Sequence, residues 1–186
     1  VGETELEPAL AALPPPWRDR VGMLQNELRP SVWRRHGIAR PAVLSAWFEK
    51  KRGIDVRVLR PSPVFGPGAE IVARALGAIG VGAHVAAESE LQVELAKKNL
   101  YILTANLAGL AVDTTVGELW ERHRPLVLEL FEELLGLEER LLETRLDPAE
   151  QHASWLLAVS SGPERRARGR NAPDRLRRVL AEADRL

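Results

Sequence analysis

The chain has 186 residues, 45% hydrophobic and 28% charged, which is the composition of a soluble globular protein with one domain or two small ones. Lysine plus arginine balances aspartate plus glutamate at 26 each, so no global field attracts nucleic acid or an anionic membrane surface. Cysteine is absent, which excludes disulfides, zinc–thiolate sites and a thiol nucleophile. Because the sequence has neither an apolar run of membrane-spanning length nor a signal-peptide pattern, we expect a cytoplasmic protein without a membrane partner.

The first half of the chain mixes helix and strand signals. A short helix is expected over 4–13, where three consecutive prolines end it. A proline- and glycine-rich stretch, PSPVFGPG, breaks the pattern before a second helix over 69–80, and KKRG at 50–53 is a plausible turn. Four strands are predicted from apolar or alternating runs, namely 21–26, 42–50, 55–60 and 81–85.

From Glu88 onward the signals are helical. The nearly apolar stretch ELAKKNLYILTANLAGLAV over 94–112 predicts the first helix, and the next runs over 114–143, with a capping box of Thr115 and Glu118 and a kink at Pro125. Asp147 is the expected N-cap of a third helix, and a short fourth one begins near Asn171. We therefore predict two domains, an α/β segment over 1–87 and an all-helical domain over 88–186.

Two polar residues interrupt the apolar helix over 94–112. Lys98 and Asn106 are eight residues apart, which places them about 12 Å apart along the axis on neighbouring faces, so that they can share one ligand. The alternative interpretation is that Lys98 is a solvated residue at the helix entrance and Asn106 bonds a neighbouring backbone. Gln25 and Asn26 end a predicted strand, where side chains at the carboxyl edge of a sheet often meet ligands, although a turn-forming Asn is the more common explanation of such a pair.

Other polar groups carry weaker signals. No pair of histidines has the i, i+4 spacing of a helical metal site, so we expect no metal. The run RRARGR over 165–170 has no interleaved aromatic residue and is flanked by Glu164 and Asp174, so we interpret it as a solvated or mobile loop and expect no nucleic-acid partner. The sequence contains no G-x-G-x-x-G, P-loop or G-x-S-x-G motif.

The order of these features resembles the ketopantoate reductase family, the NADPH-dependent 2-dehydropantoate 2-reductases. The segments that carry the resemblance are VGMLQNEL, PSPVFGPGAEIVARALGAIGVGAHV, ELAKKNLYILTANLAGL and SSGPERRARGR. The first is similar to a family strand that ends in Leu-Gln-Asn-Gly, and the third to a lysine-bearing helix with a downstream Asn. The family's Asn four residues after its lysine corresponds to Ile102 here.

The resemblance implies a fold, an activity and a site. The fold would be the C-terminal half of a Rossmann-like sheet followed by a helical bundle, and the activity the NADPH-dependent reduction of a small 2-keto acid. Lys98 would be the general acid that protonates the ketone oxygen, with Lys97 as an alternative. Asn26 would lie near the cofactor, NADP, and the substrate would be bound by Asn106, Ser161 and Asp174. The alternative is a non-catalytic dimerisation module derived from that family, and in either case we expect a homo-oligomer.

Overall fold

The computed structural model describes residues 2–50, 53 and 55–186, which form two compact units, 1–95 and 96–186. Unit 1 is mixed α/β and unit 2 is helical, so the coarse prediction of an α/β part followed by helices is confirmed. The division lies within a helix that begins at Leu91, a few residues beyond the predicted boundary at 87–88.

The described residues of unit 1 form six short strands, three α-helices and three 3-10 turns, together with the first residues of a fourth helix. The strands are β1 (Gly22–Met23), β2 (Ala42–Leu44), β3 (Phe48–Glu49), β4 (Arg57–Val58), β5 (Ser62–Phe65) and β6 (Ala83–Val85). The helices are α1 (Leu6–Ala11), α2 (Pro30–Arg34) and α3 (Ala69–Ala78), and the 3-10 turns are Glu3–Glu5, Pro15–Arg20 and Glu88–Glu90.

The main sheet of unit 1 has four strands in the order β1-β2-β5-β6. The β1–β2 and β5–β6 pairs are parallel, whereas β2 and β5 are antiparallel, with Val43 opposite Phe65 and Leu44 opposite Val64. Since side chains alternate along a strand, Val43 and Phe65 lie in one hydrophobic cluster and Leu44 and Val64 in the other. The sheet is therefore mixed, and both faces of its two central strands are buried.

The strand predictions for unit 1 need three corrections. The stretch PSPVFGPG contains β5, a fully buried central strand, although its prolines and glycines predicted an interruption. The run over 42–50 is two strands, β2 and β3, and the observed strands over 21–26 and 55–60 are only two residues long. The predicted KKRG turn falls on Lys51 and Arg52, which lie outside the described residues.

Unit 2 consists of helices joined by short connections. Its helices are α4 (Leu91–Ala111, from residue 96), α5 (Val116–Arg122), α6 (Arg124–Leu142), α7 (Pro148–Ser160) and α8 (Ala172–Ala183). The predicted caps are observed: Thr115 and Glu118 form a capping box, and the Asp147 carboxylate accepts a hydrogen bond from the backbone N–H of Ala149 at 2.9 Å. None of the described helices combines the length and apolar character that crossing a membrane requires.

The prediction of a single long helix over 114–143 is wrong. The chain forms two helices, α5 and α6, that meet at His123, whose backbone leaves the helical region with φ −127° and ψ 29°. Pro125 stands in the first turn of α6, where its missing N–H costs nothing, whereas inside one continuous helix it would remove a hydrogen bond and clash with the preceding turn. The proline therefore starts a new helix rather than kinking an old one.

Candidate functional site

Asn106 on α4 is a buried polar residue with three hydrogen bonds to other residues of unit 2. Its side chain is 5% exposed. Its carbonyl oxygen accepts from the Arg175 guanidinium at 2.8 Å and from the Gly169 backbone N–H at 3.0 Å, and its amide donates to the Ile102 carbonyl at 2.8 Å. Both acceptor positions of the oxygen are thus used by protein groups. This contact set matches the alternative interpretation of Asn106 as a residue that bonds a neighbouring backbone.

Glycine is required where the chain passes Asn106. A Cβ atom added at Gly169 would lie 2.5 Å from the Asn106 carbonyl oxygen and 3.3 Å from a guanidinium nitrogen of Arg175. On α4 itself, a Cβ at Gly109 would lie 2.5 Å from the backbone nitrogen of Arg168. Two glycines therefore let the segment over 167–169 lie directly on α4.

The arginine-rich loop, residues 165–170, is held by hydrogen bonds at several points. The Val116 N–H donates to the Arg165 carbonyl at 2.8 Å, and the Ala167 N–H donates to the Thr114 carbonyl at 3.0 Å. The guanidinium of Arg165 donates to the Tyr101 hydroxyl and, at 3.0 Å, to the Ala158 carbonyl. These bonds attach the backbone of the segment to the residues around α5. The prediction of a solvated loop is confirmed, because the side chains that alternate with Ala167 and Gly169 are exposed: Arg166, Arg168 and Arg170.

A cavity of about 310 Å³ opens where this loop meets α8. Among the described residues, its lining consists of Gly169, Arg170, Asn171 and Arg175. Arg175 is buried, at 6% exposure, while Arg170 is exposed.

Lys98 lies two turns before Asn106 on α4. It is half-buried, as is Ile102 one turn further on, whereas every residue from 103 to 109 is buried. Lys98 therefore lies on a face of α4 that other residues cover only in part. Its neighbour Lys97 forms an ion pair with Glu150 at 2.7 Å.

The remaining predicted site residues form hydrogen bonds or ion pairs with other protein groups. The Ser161 hydroxyl donates to the Leu157 carbonyl of α7 at 2.7 Å, and the Asp174 carboxylate accepts from Arg177, one turn along α8, at 2.8 Å. In unit 1, the Asn26 amide donates to the Glu3 carboxylate at 2.9 Å. The roles assigned to them in binding substrate and cofactor stay predictions.

Arg175 and Arg170 were not among the sequence-predicted site residues. The signal in the sequence is general: an Asn inside an apolar helix requires polar partners, but no pattern identifies a residue of α8 such as Arg175 as one of them. Across the described residues, no group of three acidic or histidine side chains is arranged to hold a metal ion. A comparison of the chain with protein-family models and with curated proteins finds no match.

Proposed function

We propose that the chain acts as a ketopantoate-reductase-like oxidoreductase on a small 2-keto acid, with Lys98 as the proton donor. The observation that supports this proposal is that Lys98 is half-buried, on the same partly covered face of α4 as Ile102. A lysine in such a position keeps its aliphatic stem packed while its ammonium group stays within reach of a small molecule. An ammonium group there can protonate the oxygen of a ketone while the carbonyl carbon receives a hydride.

Asn106 has a different role in this proposal. Because its oxygen already accepts from Arg175 and Gly169, we assign it the positioning of the loop and of α8 rather than direct contact with substrate. Ser161 and Asp174 remain candidates for substrate contact, since both are partly exposed.

The described residues do not fit the dinucleotide. Its pyrophosphate needs a glycine-rich turn between a strand and a helix whose backbone N–H groups are available. The one glycine-rich turn of this kind in the described part of the chain links β5 to α3. Gly66 in this turn is explained by packing, because a Cβ there would lie 2.3 Å from the Pro41 carbonyl oxygen, and the N–H of Ala69 donates to the Gly66 carbonyl at 3.2 Å. NADPH therefore enters the proposal through the family resemblance alone.

Two measurements test this assignment. Titration calorimetry of NADPH into the 186-residue chain should show no submicromolar affinity, because these residues contain no glycine fingerprint. Mass spectrometry of the products formed by the full-length gene product with NADPH and ketopantoate should detect the corresponding 2-hydroxy acid. Absence of a hydroxy acid from ketopantoate and from other small 2-keto acids would overturn the proposal.

The alternative function is a non-catalytic dimerisation module, and exposed apolar side chains in unit 1 favour it. Ile71 on α3, Ile79 just after it and Val85 on the edge strand β6 are 65%, 69% and 51% exposed. Apolar side chains beside a sheet edge are often covered by another chain. Light scattering at high concentration should give the mass of a dimer for this alternative, and a strictly monomeric mass would exclude it.

A further inference from the structure

We propose that the edge strand β6 pairs antiparallel with β6 of a second copy of this chain, which joins two sheets into one. The inference rests on the dimerisation alternative and names its surface and its partner, and it does not depend on the reductase assignment. Within the described part of the chain, β6 ends the four-stranded sheet and pairs on one side only, with β5. Its other side is an edge of the sheet.

The backbone groups on that edge follow from the hydrogen bonds to β5. The Gly82 carbonyl accepts from β5 at 2.9 Å, and the Ala86 N–H donates to β5 at 3.0 Å. Since the N–H and C=O groups of successive residues point to opposite sides of a strand, those of Ala83 and Val85 point away from β5. No hydrogen bond joins these outward groups to any other described residue. An unpaired row of this kind is a template for another strand.

The sequence around β6 carries no charged residue that would oppose such pairing. Proteins often protect a sheet edge with charged side chains, especially lysine. No aspartate, glutamate, lysine or arginine occurs over 75–87. By contrast, both strands of the two-stranded sheet carry a charged residue, Glu49 in β3 and Arg57 in β4. The side chains that β6 exposes are those of His84 and Val85, the latter at 51%.

A second copy fits this edge because a two-fold axis can satisfy every outward group of β6. Residues that face each other in an antiparallel pair exchange both of their backbone hydrogen bonds. When Ala83 of each copy lies opposite Val85 of the other, all the outward N–H and C=O groups are paired within β6 itself. The two copies of His84 then lie opposite each other on the axis. Such an interface is self-complementary, so it needs no other surface of the chain.

The first test is a cysteine cross-link, since the chain has no cysteine of its own. In the proposed register the Cα atoms of the two His84 residues lie about 4.5 Å apart, within the range that a disulfide spans. His84→Cys should therefore form a covalent dimer under mild oxidation, followed by intact-protein mass spectrometry. His84 is exposed, so this variant should fold, which circular dichroism verifies.

The matched control for the cross-link is Gly22→Cys on β1, the strand at the opposite edge of the sheet. Gly22 is exposed, and a Cβ there meets nothing within 4 Å. His84→Cys should cross-link at least about tenfold faster than this control, because paired thiols react at a high effective concentration.

The second test removes an outward donor from β6. Val85→Pro deletes an N–H that points away from β5, a position where an edge strand tolerates proline. It should weaken dimerisation at least about tenfold, because each copy loses one hydrogen bond, as measured by light scattering over a concentration series. The control Val85→Thr keeps the N–H and a residue that favours strands, so it should remain dimeric.

The outcomes separate this inference from the dimerisation alternative. A dimer in which the two cysteine variants cross-link at equal rates, or in which Val85→Pro has no effect, overturns the pairing through β6 and leaves the dimerisation alternative standing. A strictly monomeric parent chain at high concentration overturns both.

Discussion

Replacing Asn106 with leucine should destabilise unit 2 by about 3–4 kcal/mol. The substitution leaves the Arg175 guanidinium without its acceptor at 2.8 Å, which costs about 1.5–3 kcal/mol for a charged donor. It also removes the hydrogen bond from the Gly169 N–H to the Asn106 oxygen at 3.0 Å, which costs about a further 1–3 kcal/mol. The two losses sum to about 2.5–6 kcal/mol, and partial relaxation of the loop keeps the expected cost in the lower half of that range.

The control is Asn106→Asp, which keeps an oxygen acceptor for both donors but replaces the donor to the Ile102 carbonyl with a second acceptor. It should cost less than Asn106→Leu, because the Arg175 guanidinium and the Gly169 N–H keep their acceptor. The double variant Asn106→Leu with Arg175→Leu should lose less free energy of unfolding than the two single variants together, by at least about 1 kcal/mol. Each single change leaves the other residue without this hydrogen-bond partner, and the double change does not. Urea unfolding followed by circular dichroism measures all four variants, and hydrogen exchange reports the Gly169 amide directly. An Asn106→Leu variant within about 1 kcal/mol of the parent, with the Gly169 amide still protected, would refute this account.

Two further predictions concern other residues of unit 2. Gly109→Ala should lower the free energy of unfolding in urea by about 1–3 kcal/mol, because its Cβ would lie 2.5 Å from the Arg168 backbone nitrogen. Gly136→Ala should raise the free energy of unfolding by about 0.5–1 kcal/mol, because its Cβ would meet nothing within 4 Å. Equal effects of the two alanines would contradict this packing. Hydrogen bonds hold the pKa of the Glu118 carboxyl below its ordinary value of 4.5; the bond from the Thr114 side chain has the largest effect, followed by those from the backbone and side chain of Thr115. Ionised Glu118 therefore stabilises the fold above pH 4.5. The difference in free energy of unfolding between the parent and Glu118→Gln should shrink as the pH falls below 4.5 through the folded-state pKa. A difference that stays constant with pH would rule this out.

Local signals in the sequence predicted local structure well. The capping box at Thr115 and the N-cap at Asp147 depend on residues three or fewer positions apart, and both are observed. The strand Ser62–Phe65 was missed because its pairing with β2 and β6 is non-local, and its flanking prolines and glycines are typical of a loop.

The same distinction applies to the candidate site. The sequence predicted that Asn106 needs polar partners, because a buried amide without them is costly. It did not identify Arg175, which is 69 positions away along the chain, since only the packing of α8 brings the two together. The position of Lys98 on a partly covered helix face likewise depends on which neighbours cover α4, and periodicity alone does not contain that information.

The proposed proton transfer by Lys98 is tested by the turnover of the full-length gene product with NADPH and ketopantoate. Lys98→Ala should lower kcat by about 100-fold or more, the range for losing a general acid. Lys97→Ala, which removes the lysine paired with Glu150, should leave kcat within a few-fold of the parent. An unchanged kcat in the folded Lys98→Ala variant would contradict the claim.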